Sequence, residues 1–212
     1  MMSREHILHR VRTALGRSEG QPPSEAPAVR LRVPEADREA RMVSMLARVE
    51  ALAGKTYRAA RCEDARQFAM VAIDGKTAVA SNAPLLAECG ITGLPGVRSG
   101  VTDRDELREL CATCELGITS ADYALADTGT LVMLSSPQEA RMISLLPPKH
   151  LAIVAADRIL GSLDELFTVL PNPAEQTSAM VLITGPSRTA DIEQILVRGV
   201  HGPGEITVVA IG

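Results

Sequence analysis

The 212-residue sequence predicts an α/β fold, a three-layer α/β/α sandwich with a mainly parallel sheet and an N-terminal helical extension. Three observations predict it. Short apolar runs at 56–59, 77–80, 152–155, 180–184 and 207–211 read as strands. Helical patterns at 62–73, 103–114, 162–170 and 190–198 alternate with them, and each crossover helix returns the chain to the same strand direction. A Pro-rich stretch, 16–34, sets a first short helix apart from this body, dividing the chain into 1–34 and 35–212.

Taken in order, residues 3–15 place Ile7, Leu8, Val11 and Leu15 on one helical face, with Arg4, Arg10 and Arg12 mostly elsewhere. Such a basic amphipathic helix either docks on a partner or packs back on its own chain. Pro22, Pro23, Pro27 and Pro34, among Ser, Glu and Gly, cannot build a core and read as a linker. The compact body opens with a helical pattern over 35–53, through Met42, Leu46, Val49 and Ala53, which Gly54 stops. In the middle, runs at 116–119, 123–126 and 130–134 are punctuated by Ser120, Asp122, Asp127 and Gly129 and predict a local antiparallel excursion.

Composition narrows the function. A formal net charge of −4 gives no basic field for nucleic acid, and four aromatics, Tyr57, Phe68, Tyr123 and Phe167, supply no stacking platform. No run of about 18 apolar residues offers a transmembrane segment, and the charged start lacks the apolar stretch of a secretory signal, so a cytoplasmic location is expected. Cys111 and Cys114 form a C-x-x-C pair without a second pair, and with Leu107 and Leu110 they trace an apolar helical face. All four cysteines, Cys62 and Cys89 included, therefore read as buried or free thiols, with no metal and no redox cofactor in this chain. Walker, G-x-G-x-x-G, H-E-x-x-H and G-x-S-x-G signatures are absent.

Polar turns carry the candidate site. Ser187, Arg188 and Thr189 follow one predicted strand and open the predicted helix 190–198, where free backbone N–H groups attract anions. Asp191 and Glu193 in the first turn would repel an anion, so Thr189 as a plain helix cap is the alternative. Asp127, Thr128, Gly129 and Thr130 bring a carboxylate and two hydroxyls around a glycine able to take positive φ, which suits either an anion loop or an ordinary tight turn. His201 stands in a Gly-rich turn rather than on an apolar face, which makes it the histidine most open to a role. A nine-residue helix of about 13 Å would separate it from Arg188, so His201, Gly202 and Pro203 read as a structural or interface turn that shares a site only across a dimer. Arg141 and Ser144, one helical turn apart, either meet an anion or face water, and His150 at a strand start reads as positional.

Gly117-Ile118-Thr119-Ser120-Ala121-Asp122-Tyr123-Ala124-Leu125-Ala126-Asp127-Thr128-Gly129-Thr130 and the segment 185–203 share the chain with Arg141-Met142-Ile143-Ser144-Leu145-Leu146-Pro147 and His150. In this order, from about Tyr57 to the end, they resemble the LUD domain of the lactate utilization protein C family. The resemblance implies a fold similar to the sugar-phosphate isomerase and CoA-transferase group. It implies a cluster-free subunit of an iron–sulfur L-lactate oxidation complex converting lactate to pyruvate. Its partners would be an iron–sulfur subunit and a larger LUD subunit that carry the clusters, since this chain has no repeated C-x-x-C-x-x-C. No catalytic residue comes with the resemblance. The alternative is an independent enzyme or sensor for a small phosphorylated or carboxylated metabolite, because one α/β scaffold hosts many chemistries. A homo-oligomer stays open.

Overall fold

A computed structural model describes residues 3–22, 36–190 and 196–212. It resolves into two units, Met1–Arg32 and Val33–Gly212. The first holds helix α1 (Arg4–Ala14), capped by the Ser3 hydroxyl accepting from the His6 N–H.

The second unit runs, in chain order, through α2 (Arg38–Ala51), β1 (Lys55–Ala59), α3 (Cys62–Ile73), β2 (Ala78–Ala80), α4 (Pro84–Glu88), β3 (Val97–Arg98) and α5 (Arg104–Thr113). It continues with β4 (Leu116–Ser120), β5 (Tyr123–Leu125), β6 (Thr130–Leu134), α6 (Arg141–Leu145), β7 (Lys149–Ala155), a 3-10 turn (Ala156–Arg158) and β8 (Ile159–Leu160). The last elements are α7 (Leu163–Val169), α8 (Pro173–Gln176), β9 (Met180–Ile183), β10 (Arg188–Ala190), β11 (Leu196–Arg198) and β12 (Glu205–Ile211).

Six strands form a parallel sheet in the order β1-β12-β7-β4-β2-β3. Period-two alternation sorts its side chains into two cores. Leu151, Ile153 and Val209 face α3 and α4, whereas Ala152, Val154 and Val208 face α2 and a second sheet. The α3 face is lined by small Ala65 and Ala69, which let the helix lie close to the strands. Met42, Met45 and Val49 seat α2 on the other side, each worth roughly 1.5–3 kcal/mol of apolar burial.

The second sheet has the order β8-β5-β6-β9, with β6 antiparallel to both neighbours. Two expectations change here. The 180–184 run pairs with β6 in this outer sheet and not in the parallel one. The 116–119 run is β4, in the middle of the parallel sheet, so the antiparallel excursion begins only at Tyr123.

At the described ends of the helix expected over 190–198 the chain is extended. Arg188–Ala190 and Leu196–Arg198 pair antiparallel as β10 and β11, with Arg188 opposite Arg198. The connecting residues 191–195, including Asp191 and Glu193, lie outside the described residues. Thr189 opposite Val197 is thus a strand position and caps no helix. Cys62 and Cys89 also depart from the free-thiol reading, since a disulfide joins them and ties α3 to the end of α4.

Candidate functional site

Connections leave β2 and β4 in opposite directions. The chain passes from β2 outward to β3, and from β4 the other way to β7 and then β12. Their carboxyl ends therefore splay apart, opening the crevice in which open α/β sheets place ligands. A cleft of about 530 Å³ lies there. Its walls come from Pro84, Leu85 and Glu88 of α4, from Tyr123 and Leu134 at the open end of the β5–β6 hairpin, and from Asp157 and Arg158 after β7.

A tight turn carries a carboxylate into this crevice. The Ser136 hydroxyl accepts from the Gln138 N–H at 3.2 Å and the Glu139 N–H at 3.0 Å, while the Asn82 N–H binds the Gln138 carbonyl at 2.8 Å. Glu139 is left only 5% exposed. Its Oε2 accepts from the Ser81 hydroxyl at 2.6 Å and from the Ser120 N–H at 3.3 Å, and its Oε1 has no partner in the protein. Burial pushes the carboxyl up to about 8, helped by the negative charge of Asp122 and opposed by the Ser81 and Ser120 bonds.

Asp122 sits beside it, its Oδ2 accepting from the Leu134 N–H at 2.7 Å. Burial holds this carboxyl above the usual range, against that hydrogen bond and the nearby Arg158 charge. The Arg158 guanidinium lies 5.6 Å over the Tyr123 ring and forms no ion pair among the described residues. The cleft thus holds one cation, Arg158, and four carboxyl groups, Glu88, Asp122, Asp157 and Glu139, the last of which burial keeps neutral.

The residues singled out from sequence gather elsewhere. Asp127, Thr128 and Gly129 form the closed tip of the β5–β6 hairpin, roughly 10 Å from the cleft end at about 3.4 Å per residue along three-residue β5. Gly129 has φ of 69°, and a Cβ there would stand 2.8 Å from Arg48 Cβ and the Val49 nitrogen, so α2 requires glycine at this contact. Thr128, Thr130 and Thr184 pass hydroxyl bonds along a chain, each step 2.8 Å.

The 185–203 segment meets the same helix. Arg188 Nη2 donates to the carbonyl of Leu52, the C-cap of α2. Ser187, His201, Gly202 and Pro203 come together rather than lying a helix apart. The Ser187 N–H binds the Pro203 carbonyl at 2.8 Å, and the His201 N–H reaches the Ser187 hydroxyl at 3.3 Å. The 13 Å separation fails because the strands fold back on themselves.

Other candidates turn inward. Ser144 is buried, its hydroxyl donating to the Arg141 carbonyl at 3.0 Å, while the Arg141 side chain is exposed. His150 is buried, its Nε2 lies 2.7 Å from the Thr119 hydroxyl and its Nδ1 is unpartnered. Burial pulls His150 down to about 4 and keeps it neutral. Cys111 and Cys114 pack with Leu107 and Ile143, and burial first, then Cys114, pushes Cys111 up to about 11, away from the reactive thiolate. Among the described residues, no three His, Cys, Asp or Glu side chains gather as a metal site.

Sequence reading missed Glu139, Asp122 and Ser81 as site residues. The available signal was positional, since Ser81 and Asp122 each follow the end of a strand, β2 and β4, that flanks the crevice.

A parallel sheet with a crevice at its topological switch point defines a doubly wound α/β domain. The model of the LUD domain matches residues 43–211, and the chain belongs to the LUD domain family. Similar proteins include lactate utilization protein C of an Exiguobacterium species, 38% identical over 108 residues covering 49% of this chain and 47% of that one. Lactate utilization protein C 1 of Bacillus mycoides is 36% identical over 139 residues, covering 60% and 59%. The match spans about half the length of these relatives. The crystal structure of a DUF162 family protein from Deinococcus radiodurans superposes with a TM-score of 0.65 at 17% identity, covering 84% of this chain and 100% of that one, and shows the same fold.

Proposed function

We propose that this chain serves lactate utilization as the cluster-free subunit of an iron–sulfur complex that oxidises L-lactate to pyruvate, with the carboxyl-edge cleft taking a small organic acid. The likeness to proteins named lactate utilization protein C supports the setting. The observation that carries the site is the presence of Arg158 and the buried Glu139 in the lining of one cleft of about 530 Å³. Arg158 suits a carboxylate, and a neutral Glu139 avoids repelling one. The electrons would pass to clusters in the iron–sulfur and larger LUD partners, in the cytoplasm.

Anaerobic co-purification of the full chain tests this reading. Recovery of iron–sulfur partners supports it, and a solitary protein whose deletion leaves growth on lactate unchanged sinks it. The cleft also fits the second reading, an independent enzyme or sensor for a small phosphorylated or carboxylated metabolite, because its volume suits a small molecule. An anion at Asp127, Thr128, Gly129 and Thr130 or at Ser187, Arg188 and Thr189 belongs to that reading, and it would have to draw Arg188 off the Leu52 carbonyl. Turnover or a melting shift with sugar phosphates in the isolated chain would favour it.

A further inference from the structure

Among its 22 lysines and arginines the chain has only three lysines, Lys55, Lys76 and Lys149. All three line one pocket of about 260 Å³ at the amino edge of the parallel sheet. Strand alternation accounts for two of them. Lys55 opens β1, Lys149 opens β7 and Glu205 opens β12, each in phase with a residue that faces α3, namely Tyr57, Leu151 and Val209. Lys76 arrives from the loop between α3 and β2. In the sheet order β1, β7 and β2 stand two strands apart, about 10 Å at about 4.8 Å per strand, so each flexible four-carbon lysine stem can cover half the gap to the next.

The ammonium groups are tethered but not enclosed. Lys55 Nζ donates to Glu205 Oε2 at 3.2 Å, and Lys149 Nζ lies 3.3 Å from Oε1 of the same carboxylate. Lys76 Nζ donates to the Ile73 carbonyl at 3.5 Å and lies 3.6 Å from Oδ2 of the exposed Asp74. The side chains of Lys76, Lys149 and Lys55 are 28, 40 and 72% exposed, so solvent reaches each of them. Within the lining, three positive charges face the single negative charge of Glu205. An apolar wall completes the pocket, from Phe68 and Ala72, one turn apart on α3, and from Leu116 on β4.

We infer that this pocket is a second ligand site, which takes the phosphoryl group of a small phosphomonoester among the three lysines and its organic part against Phe68. A phosphoryl dianion spreads its charge over three oxygens that accept, and lysine meets such an oxygen as a point charge that only donates. Glu205 gathers the Lys55 and Lys149 ammonium groups around one acceptor, and a phosphoryl oxygen can share or replace it. Ala155, at the far end of seven-residue β7, lines the carboxyl-edge cleft, about 20 Å from Lys149 at about 3.3 Å per residue. The amino-edge site therefore stands independently of the one proposed for an organic acid.

Calorimetric titration of the full chain with phenyl phosphate and with inorganic phosphate, at low ionic strength, tests it. Phenyl phosphate should bind about tenfold more tightly, because only its ring covers Phe68. Lys76→Ala and Lys149→Ala should each weaken binding about tenfold or more while leaving melts nearly unchanged, and Lys76→Arg, which keeps the charge, should retain most of the affinity. Glu205→Gln removes the competing carboxylate and should tighten binding several-fold. Undiminished affinity in both alanine variants overturns the inference, as does a wild type that binds neither probe. Equal affinity for the two probes overturns the place assigned to the organic part. Binding lost in Arg158→Ala but kept in Lys149→Ala would put the anion in the carboxyl-edge cleft, overturning the amino-edge site and leaving the cleft reading intact.

Discussion

At the closed tip of the β5–β6 hairpin, Thr128, Thr130 and Thr184 exchange hydroxyl bonds at 2.8 Å, and Arg188 is committed to the Leu52 carbonyl. At the open end of the same hairpin, Glu139 keeps one oxygen without a partner and Arg158 keeps its charge unpaired among the described residues. Both regions are rich in the residue types from which sites are made. They differ in what the fold has already consumed. Polar groups that satisfy one another hold a structure together, whereas groups held in place and left unsatisfied are available to a ligand. On this contrast the seam along α2 serves stability, and the cleft is the proposed place of recognition.

The largest test of that division is stability against pH. Glu139 has a folded value of about 8 against an ordinary 4.5, so the native state binds more protons than the unfolded chain between those values. Stability is then fullest below about pH 4.5 and declines as pH rises through about 8, by on the order of 5 kcal/mol. Urea denaturation across this range should show the decline in wild type and lose it in Glu139→Gln. An unchanged decline in that variant would mean the cleft acid is not the costly group.

His150 supplies the opposite slope and the second effect. Its folded value of about 4 lies below the ordinary 6.5, so the unfolded chain takes up a proton first as pH falls. Stability should drop by about 3 kcal/mol between pH 6.5 and about 4. In wild type the two slopes oppose each other between about 4.5 and 6.5. Denaturation of Glu139→Gln should expose the His150 limb alone, and a flat acid limb in that variant would contradict a neutral buried imidazole.

Much of the scaffold was legible because it rests on local pattern. β7 and β12 are apolar on both faces, and α3 and α5 carry clean helical stripes, so their existence follows from the sequence. The 190–198 segment was not legible, because its short apolar stretches fit a helix face or two strand arms equally. Glu139 was hidden for another reason. It sits in Ser135-Ser136-Pro137-Gln138-Glu139-Ala140, which reads as a surface turn, and its burial depends on Ser81, 58 positions away in sequence. Strand order makes the crevice, and strand order is a tertiary fact that no single window of residues contains.

Gly129→Ala probes the seam by its conformation. The position has φ of 69° and its Cβ would press on the backbone of α2, so the replacement should cost about 2–3 kcal/mol. Thermal or urea melts measure that loss, while affinity of the folded fraction for pyruvate should stay unchanged. A variant of full stability with weakened binding would move the recognition role to the hairpin tip.

Arg188→Ala gives the smallest effect and the sharpest contrast, because it can be set against Arg158→Ala. Arg188 places a cation at the C-terminal end of α2, where it meets an unsatisfied carbonyl and the negative end of the helix dipole. The side chain is exposed, and water replaces part of what it supplies, so truncation should cost only about 0.5–1 kcal/mol. Arg158, whose described partners are the Tyr123 ring and the nearby Asp122 charge rather than a helix end, should cost no more than that in stability and much more in binding. The two arginines then separate on two axes, melts for one and calorimetry for the other. If Arg188→Ala instead abolished binding of small acids and left the melt in place, its bond to Leu52 would be a resting contact that a ligand displaces, and the seam would be the site.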